Sequence, residues 1–284
     1  MTKLPKNLYH YTSIENFTNI INSNELWMTD VRFLNDNSEL NYAIESYKQY
    51  IKKIDDNPKK IIEKFKIYNP NFNKYTLDKL LSILLNLIET VNNLHCYSFV
   101  FSFSEKGDLL SQWRGYTSFG KGISIGFNYE KFSKEIKDSW QSPTNFSRIG
   151  QLLYHCLYSK KKLYEIVEGT LLEIYANNFS KELVSINFFD VWGDCLHIKH
   201  HAFKEEKEWR LSAKLNNQQK INHRTGSHSI IPIYKNKFDN ISNYIDHVII
   251  GPNPNMISAV KGLKSFLGDR KIDIKTSKIP YTGG

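Results

Sequence analysis

Apolar positions along this chain switch repeatedly between a two-residue period and a three-to-four-residue period, the signatures of a half-packed strand and of a one-sided helix. The first alternation, Asn7 to Tyr11, predicts a short strand. It runs into Thr12-Ser13-Ile14-Glu15, where Thr12 as the cap and Glu15 reaching back would form a capping box. The helix it opens would bury Ile14, Phe17, Ile20 and Ile21. Asp36-Asn37-Ser38-Glu39 has the same form and predicts a second helix, with Leu40, Ile44, Tyr47 and Ile51 on its apolar side. Residues 57–95 read as mostly helical: Leu77, Leu80, Leu81, Leu84, Leu87, Ile88 and Val91 keep helical spacing behind Lys59, Lys60, Lys64 and Lys66.

From Cys96 to Ser104 bulky aromatics alternate with small residues, which predicts a strand with one packed face and one open face carrying Ser98, Ser102 and Ser104. A short helix over Asp108–Tyr116, a turn at Phe119-Gly120-Lys121-Gly122 and a strand through Ile123, Ile125 and Phe127 follow. More helix is expected between residues 160 and 200. The last third predicts strands at Glu208–Leu215, Ser229–Tyr234 and Tyr244–Ile250, a helix at Met256–Leu267 and a strand at Lys271–Lys275. Strands and helices are interleaved too irregularly for a doubly wound parallel sheet, so the expected class is α+β. No repeat or linker marks a boundary, and the simplest organisation is one domain over residues 1–284 with a helical insertion at about 57–95.

With 284 residues, 40% of them apolar, and 39 aromatic side chains (17 Phe, 17 Tyr, 5 Trp), the chain can bury a sizeable core, and composition excludes disorder, collagen and fibre. Leu80–Ile88, the longest apolar run, is interrupted by Ser82 and Asn86 and is too short to span a bilayer. The first residues lack the apolar core of a secretory signal, and the three cysteines, Cys96, Cys156 and Cys195, are scattered and odd in number. A reducing cytoplasm is expected. The net charge of +9 favours polyanionic partners, and equally fits a solvated lysine-rich surface.

Four groups could carry chemistry. Tyr9-His10-Tyr11-Thr12 delivers a histidine, an aromatic and a hydroxyl to a helix start, where unpaired N–H groups favour anions; it also reads as a core histidine beside a cap. Ser102-Phe103-Ser104 precedes a helix whose Leu109, Trp113 and Tyr116 share a face, a stripe suited to core or to ligand. In Glu208-Trp209-Arg210-Leu211, strand pairing puts Glu208, Arg210 and Ser212 on one face, lining either water or a cleft. His197 and His201 have zinc-like spacing, but HExxH, CxxC, P-loop, GxGxxG and GxSxG patterns are all absent, and no metal is expected.

As a set, Leu8-Tyr9-His10-Tyr11-Thr12-Ser13, Leu34-Asn35-Asp36 with Glu39, Ser102-Phe103-Ser104, Trp113 with Tyr116, Gly122 through Phe127, Lys199-His200 with Phe203 and Glu205, Glu208-Trp209-Arg210, Ile250-Gly251-Pro252 and Ile279-Pro280-Tyr281 resemble the landmarks of the bacterial domain-of-unknown-function family 2971. The resemblance runs from residue 8 to residue 281. The family pattern continues with an arginine after the final tyrosine, where this chain has Thr282. The arrangement is similar in turn to ADP-ribosyltransferase-like domains, which implies a split, mainly antiparallel sheet and NAD as substrate. On that resemblance His10 would hold a ribose or the amide end of NAD, beside Tyr11 and Thr12. Small Ser102 and Ser104 would leave room for the dinucleotide, Trp113 or Tyr116 would stack on nicotinamide, and Glu208 would be the catalytic carboxylate, with Glu205 the alternative. It implies a toxin or phage-defence effector acting on nucleic acid or protein, a possible antitoxin and no membrane. The alternative is an inactive basic module of the same fold that binds nucleic acid or a partner.

Overall fold

Phe99, Phe101 and Phe103 alternate with Ser98, Val100, Ser102 and Ser104 in the strand at the branch point of the sheet, and that alternation gives the sheet an aromatic face and a mostly polar one. The computed structural model describes residues 4–34, 39–93, 98–117, 121–141, 148–177, 190–215, 221–226 and 228–280. Its strands are β1 (Asn7–Thr12), β2 (Glu25–Asp30), β3 (Ser98–Ser104), β4 (Ile123–Asn128), β5 (Arg148–His155), β6 (Glu208–Leu215), β7 (Asn222–Thr225), β8 (Ile230–Lys237), β9 (Ile245–Ile250) and β10 (Asp273–Thr276). The helices are α1 (Ile14–Ser23), α2 (Glu39–Asp56), α3 (Lys59–Lys66), α4 (Lys74–Asn93), α5 (Leu110–Tyr116), α6 (Tyr129–Gln141), α7 (Lys160–Ala176), α8 (190–197) and α9 (Met256–Leu267). The protein is α+β, with an open, mixed and mostly antiparallel sheet. No helix among the described residues is long and apolar enough to cross a membrane.

The sheet runs β10-β9-β4-β1-β3-β2-β8-β7, with β6 also on β3 and β5 on β6. Only β9 and β10 pair in parallel among these neighbours. β6 follows β3 along its whole length, from Ser98 opposite Lys214 to Ser104 opposite Glu208. The other edge of β3 is shared. β2 meets its start, Asp30 opposite Phe99, and β1 meets its end, Tyr9 opposite Ser104. Between those contacts β1 and β2 diverge, and the sheet is split.

The chain forms two compact units. The first, Met1–Phe33 with Tyr97–His155 and Lys204–Gly284, contains the whole sheet with α1, α5, α6 and α9. Its core lies on the aromatic face, where Phe103 meets Phe127 and Phe132 edge to face and those two meet at a tilt, beside Leu8, Ile125 and Leu211. Gln151 on β5 donates to Asn236 on β8 at 3.1 Å although β6, β3 and β2 lie between them in strand order, so the sheet curls around this core. The second unit, Leu34–Cys96 with Cys156–Phe203, is built from α2, α3, α4, α7 and α8. There α4 packs against α2 and α7, and its leucine stripe is buried, as are Ile44 and Tyr47 of α2 and Val167 and Leu171 of α7.

Most of the predicted elements appear within a few residues of their expected ends, and Glu208–Leu215 and Met256–Leu267 match as written. Two local expectations are corrected. The α1 cap is Ser13, whose hydroxyl accepts from the Asn16 N–H at 3.0 Å, because Thr12 is still paired in β1 opposite Ile123. That one-residue shift turns Ile14 outward, 51% exposed, while Phe17, Ile20 and Ile21 are buried. The expected cap at Asp36-Asn37-Ser38 and the third cysteine, Cys96, lie outside the described residues.

Candidate active site

Antiparallel pairing puts directly opposed side chains on one face of a sheet. Across β9, β4, β1, β3 and β6 it therefore aligns His247, Gly126, Tyr9, Ser104 and Glu208 in a single row on the polar face. Ser102 opposite Arg210 and Val100 opposite Ser212 continue that face along β3 and β6. Gly126 is needed in the row: a Cβ there would come within 3.0 Å of the His247 ring, which meets the Tyr9 ring edge to face at 5.5 Å.

Glu208 opens β6 two residues before Arg210, and the two-residue strand period sends both side chains the same way. The guanidinium grips both carboxylate oxygens, Nε to Oε1 at 2.7 Å and Nη2 to Oε2 at 3.2 Å, and both residues are 4% exposed. The turn leading to this pair is tightly tied. Lys207 has φ 44°, a left-handed conformation that costs a residue with a Cβ about 1–2 kcal/mol. It is held by Glu105 N–H donating to the Lys207 carbonyl at 3.1 Å and by Ser104 Oγ donating to the Glu206 carbonyl at 2.7 Å. Ser104 also accepts from the Lys106 N–H at 3.0 Å, so its hydroxyl is committed to this turn. Glu205, the alternative carboxylate, accepts from Ser111 Oγ at 3.1 Å in an exposed setting.

His10 stands at the split. Its strand neighbour is Ile125, its ring lies 4.0 Å from that of Phe101, and it belongs to the aromatic face. Nδ1 donates to the Ser102 carbonyl at 2.9 Å, taking up a backbone acceptor where β1 has diverged from β3. Burial, partly offset by that hydrogen bond, drives its pKa down to about 4, so the ring is neutral at pH 7 with the proton on Nδ1.

Tyr11 and Trp113 meet edge to face at 4.8 Å and form a small buried cluster with Ile249. The Tyr11 hydroxyl donates to the Lys106 carbonyl at 2.7 Å and accepts from the Leu109 N–H at 3.0 Å. Burial pushes its pKa up. Asp108 ties the cluster down: it accepts from Trp113 Nε1 at 2.8 Å, Ser277 Oγ at 2.6 Å and the Lys278 N–H at 2.8 Å.

Tyr9, Ser102, Ser104, Glu208 and Arg210 thus come together on one face. His10 and Thr12 belong to the other face by register, and Trp113 is fully buried, while Tyr116 at the end of the same helix is 40% exposed. Sequence reading grouped Tyr9 with His10 and set Asp108 at a helix start without giving either a role, and it missed His247; only Gly126, a glycine inside a strand pattern, signalled close approach by another group. In the second unit His197 is buried and its Nδ1 bonds the Gly193 carbonyl at 2.6 Å one helical turn back, whereas His201 is exposed. Among the described residues no group of three or more His, Cys, Asp and Glu is placed to hold a metal.

Residues 112–211 match the model of a family described as Protein of unknown function (DUF2971). The match begins at Gln112 in α5 and ends at Leu211 in β6, so it takes in Trp113, Tyr116, Glu208 and Arg210. No curated protein matches the chain, and no solved structure does.

Proposed function

We propose that this chain is an NAD-dependent ADP-ribosyltransferase-like enzyme, a bacterial toxin or phage-defence effector that modifies a nucleic acid or a protein. The observation that carries the reading is the split at β3, with His10 in the gap on one side and the buried Glu208 on the strand across β3. Breaking the nicotinamide–ribose bond sends its electron pair to the nicotinamide nitrogen and leaves positive charge on the ribose. A preorganised carboxylate in a water-poor site stabilises that charge. Arg210 holds the carboxylate in a fixed orientation through both of its oxygens. An acceptor nucleophile then bonds the anomeric carbon and loses its proton. Stacking on nicotinamide falls to Tyr116, because Trp113 has no exposed ring face. A dinucleotide touching both His10 and Glu208 would pass through the split.

A second reading, a binding module without catalysis, is favoured by the engagement of both Glu208 oxygens by Arg210. Thermal melting with NAD and with ATP, together with nicotinamide release from labelled NAD in bacterial lysate, separates the two. The enzyme reading expects NAD alone to raise Tm, by mass action on the folded state, and nicotinamide to accumulate. An unchanged Tm with no release leaves the binding module.

A further inference from the structure

Three of the most exposed large apolar side chains of the described residues fall within nine positions of the second unit: Ile67 at 81%, Tyr68 at 63% and Tyr75 at 81%. They flank the turn between α3 and α4. Helical geometry puts Lys59 and Lys66, seven residues apart, on one stripe of α3, and Lys60, Lys64 and Ile67 on the next. Ile61 and Phe65 occupy the buried side. Residues 59–75 contain five lysines and one glutamate, an excess of positive charge that Asp55, Asp56 and Asp78 on the adjoining helices offset in part. Lys64 is paired with Glu168, and Lys74 with Asp55 and Asp78, whereas Lys59 and Lys66 are exposed on the other stripe and Lys60, exposed beside Lys64, also acts on the Glu168 carboxylate.

The turn is rigid. Phe72 plugs it, with its ring 5.0 Å from Phe65 and 5.2 Å from Tyr175, and the Asn69 amide reaches the Tyr175 hydroxyl. Tyr68 and Tyr75 are therefore held on a fixed scaffold, which lowers the ordering cost of binding.

We propose that this face docks a single-stranded polynucleotide, with Tyr68 and Tyr75 stacking on bases and Lys59, Lys60 and Lys66 contacting phosphates. Flat aromatic rings among cations are the chemistry that binds single strands without sequence preference. A lipid surface fits less well: interfacial binding needs an aliphatic or Trp-rich stripe, and here Ile67 is joined by Asn69, Asn71 and Asn73. The proposal concerns the second unit alone and does not depend on NAD chemistry.

The test is fluorescence anisotropy of the full chain with labelled oligouridylate and oligothymidylate of ~20 nucleotides, at several salt concentrations and without NAD. Tyr68→Ala/Tyr75→Ala is expected to weaken binding ~10-fold or more. Lys59→Glu/Lys60→Glu/Lys66→Glu should weaken it and flatten its salt dependence, since each lost phosphate contact removes ~0.7 from the slope. Lys160→Glu/Lys161→Glu, equally exposed in the same unit, should keep most of the affinity. Unchanged melting temperatures establish that the variants are folded; if the tyrosine pair destabilises the chain, Tyr68→Ser alone, with melting matched to wild type, carries the test. The proposal is overturned if neither oligonucleotide binds, if the Lys160/Lys161 reversal costs as much as the α3 reversal, or if phosphatidylserine vesicles bind through these residues and oligonucleotides do not.

Discussion

Glu208 and Arg210 neutralise each other within a single strand, two residues apart and both nearly out of contact with solvent. Removing one partner of such a pair leaves a buried charge without compensation, which typically costs about 3–5 kcal/mol. Glu208→Gln is therefore expected to lower stability by several kcal/mol, and Glu208→Gln/Arg210→Met to recover most of that loss in urea unfolding. If Glu208 also meets the developing ribose cation, nicotinamide release falls ~10²–10³-fold in the single variant while NAD binding to its folded fraction changes little. Recovery of release in the double variant would assign the loss to folding alone.

His10 and Asp194 contribute to acid sensitivity with opposite signs. His10 titrates near 4 in the folded chain and near 6.5 unfolded, so the unfolded state takes up the proton first and stability falls as pH drops through that window. Asp194 in the second unit is raised by burial to about 6, which has the opposite sign: the folded state takes up a proton below pH 6 and gains stability until the unfolded carboxyl titrates near 4. His10→Asn, which retains a donor for the Ser102 carbonyl, should flatten the acid loss, and Asp194→Asn should steepen it. Urea midpoints measured from pH 7 to pH 4.5 check both slopes, and the same slope in all three proteins would remove these groups as the cause.

Gly122 and Gly262 make a matched pair. A Cβ at Gly122 would sit 2.4 Å from the Thr12 carbonyl oxygen, a backbone atom that cannot swing away, whereas nothing lies within 4 Å of one at Gly262 inside α9. Gly122→Ala should cost about 1–3 kcal/mol through overpacking, and Gly262→Ala should gain up to about 1 kcal/mol from helix propensity. Thermal melting of both variants is sufficient.

Asp108→Ala removes an acceptor used by Trp113, Ser277 and Lys278 together. A loss of about 2 kcal/mol is expected, in the range for hydrogen bonds to a charged group. Faster hydrogen exchange should appear at residues 277–279 before it appears in β1, because the tether is lost and the strand pairing is not.

Periodicity made most individual elements legible and long-range pairing much less so. The Phe99-Phe101-Phe103 alternation announces a strand, but nothing local says that its edge will be shared by β1 and β2. β5 and β7 escaped notice because Arg148-Ile149-Gly150-Gln151 and Asn222-His223-Arg224-Thr225 are mostly polar and take their structure from a neighbouring strand. At the site, the two-residue period correctly aligned Glu208 with Arg210. His10 and Glu208 were grouped by resemblance, and only the register through Tyr9 and Ser104 reveals that they stand on different faces. Trp113 and Tyr116 share a helical face in projection, yet the helix ends at Tyr116, so one ring is sealed and the other is left in solvent.

The shared edge of β3 also sets the order in which the chain can fold. Its partners β1 and β2 are synthesised before it, but β6, which among the described residues pairs with it along its full length, emerges more than a hundred residues later, after α7 and α8. Until then the Ser98–Ser104 strand has one long edge unpaired. Such long-range closure slows folding and exposes an edge able to pair with other chains. Nascent chains stopped before residue 208 should therefore be the aggregation-prone species, and emergence of Glu208–Leu215 the step that ends that exposure.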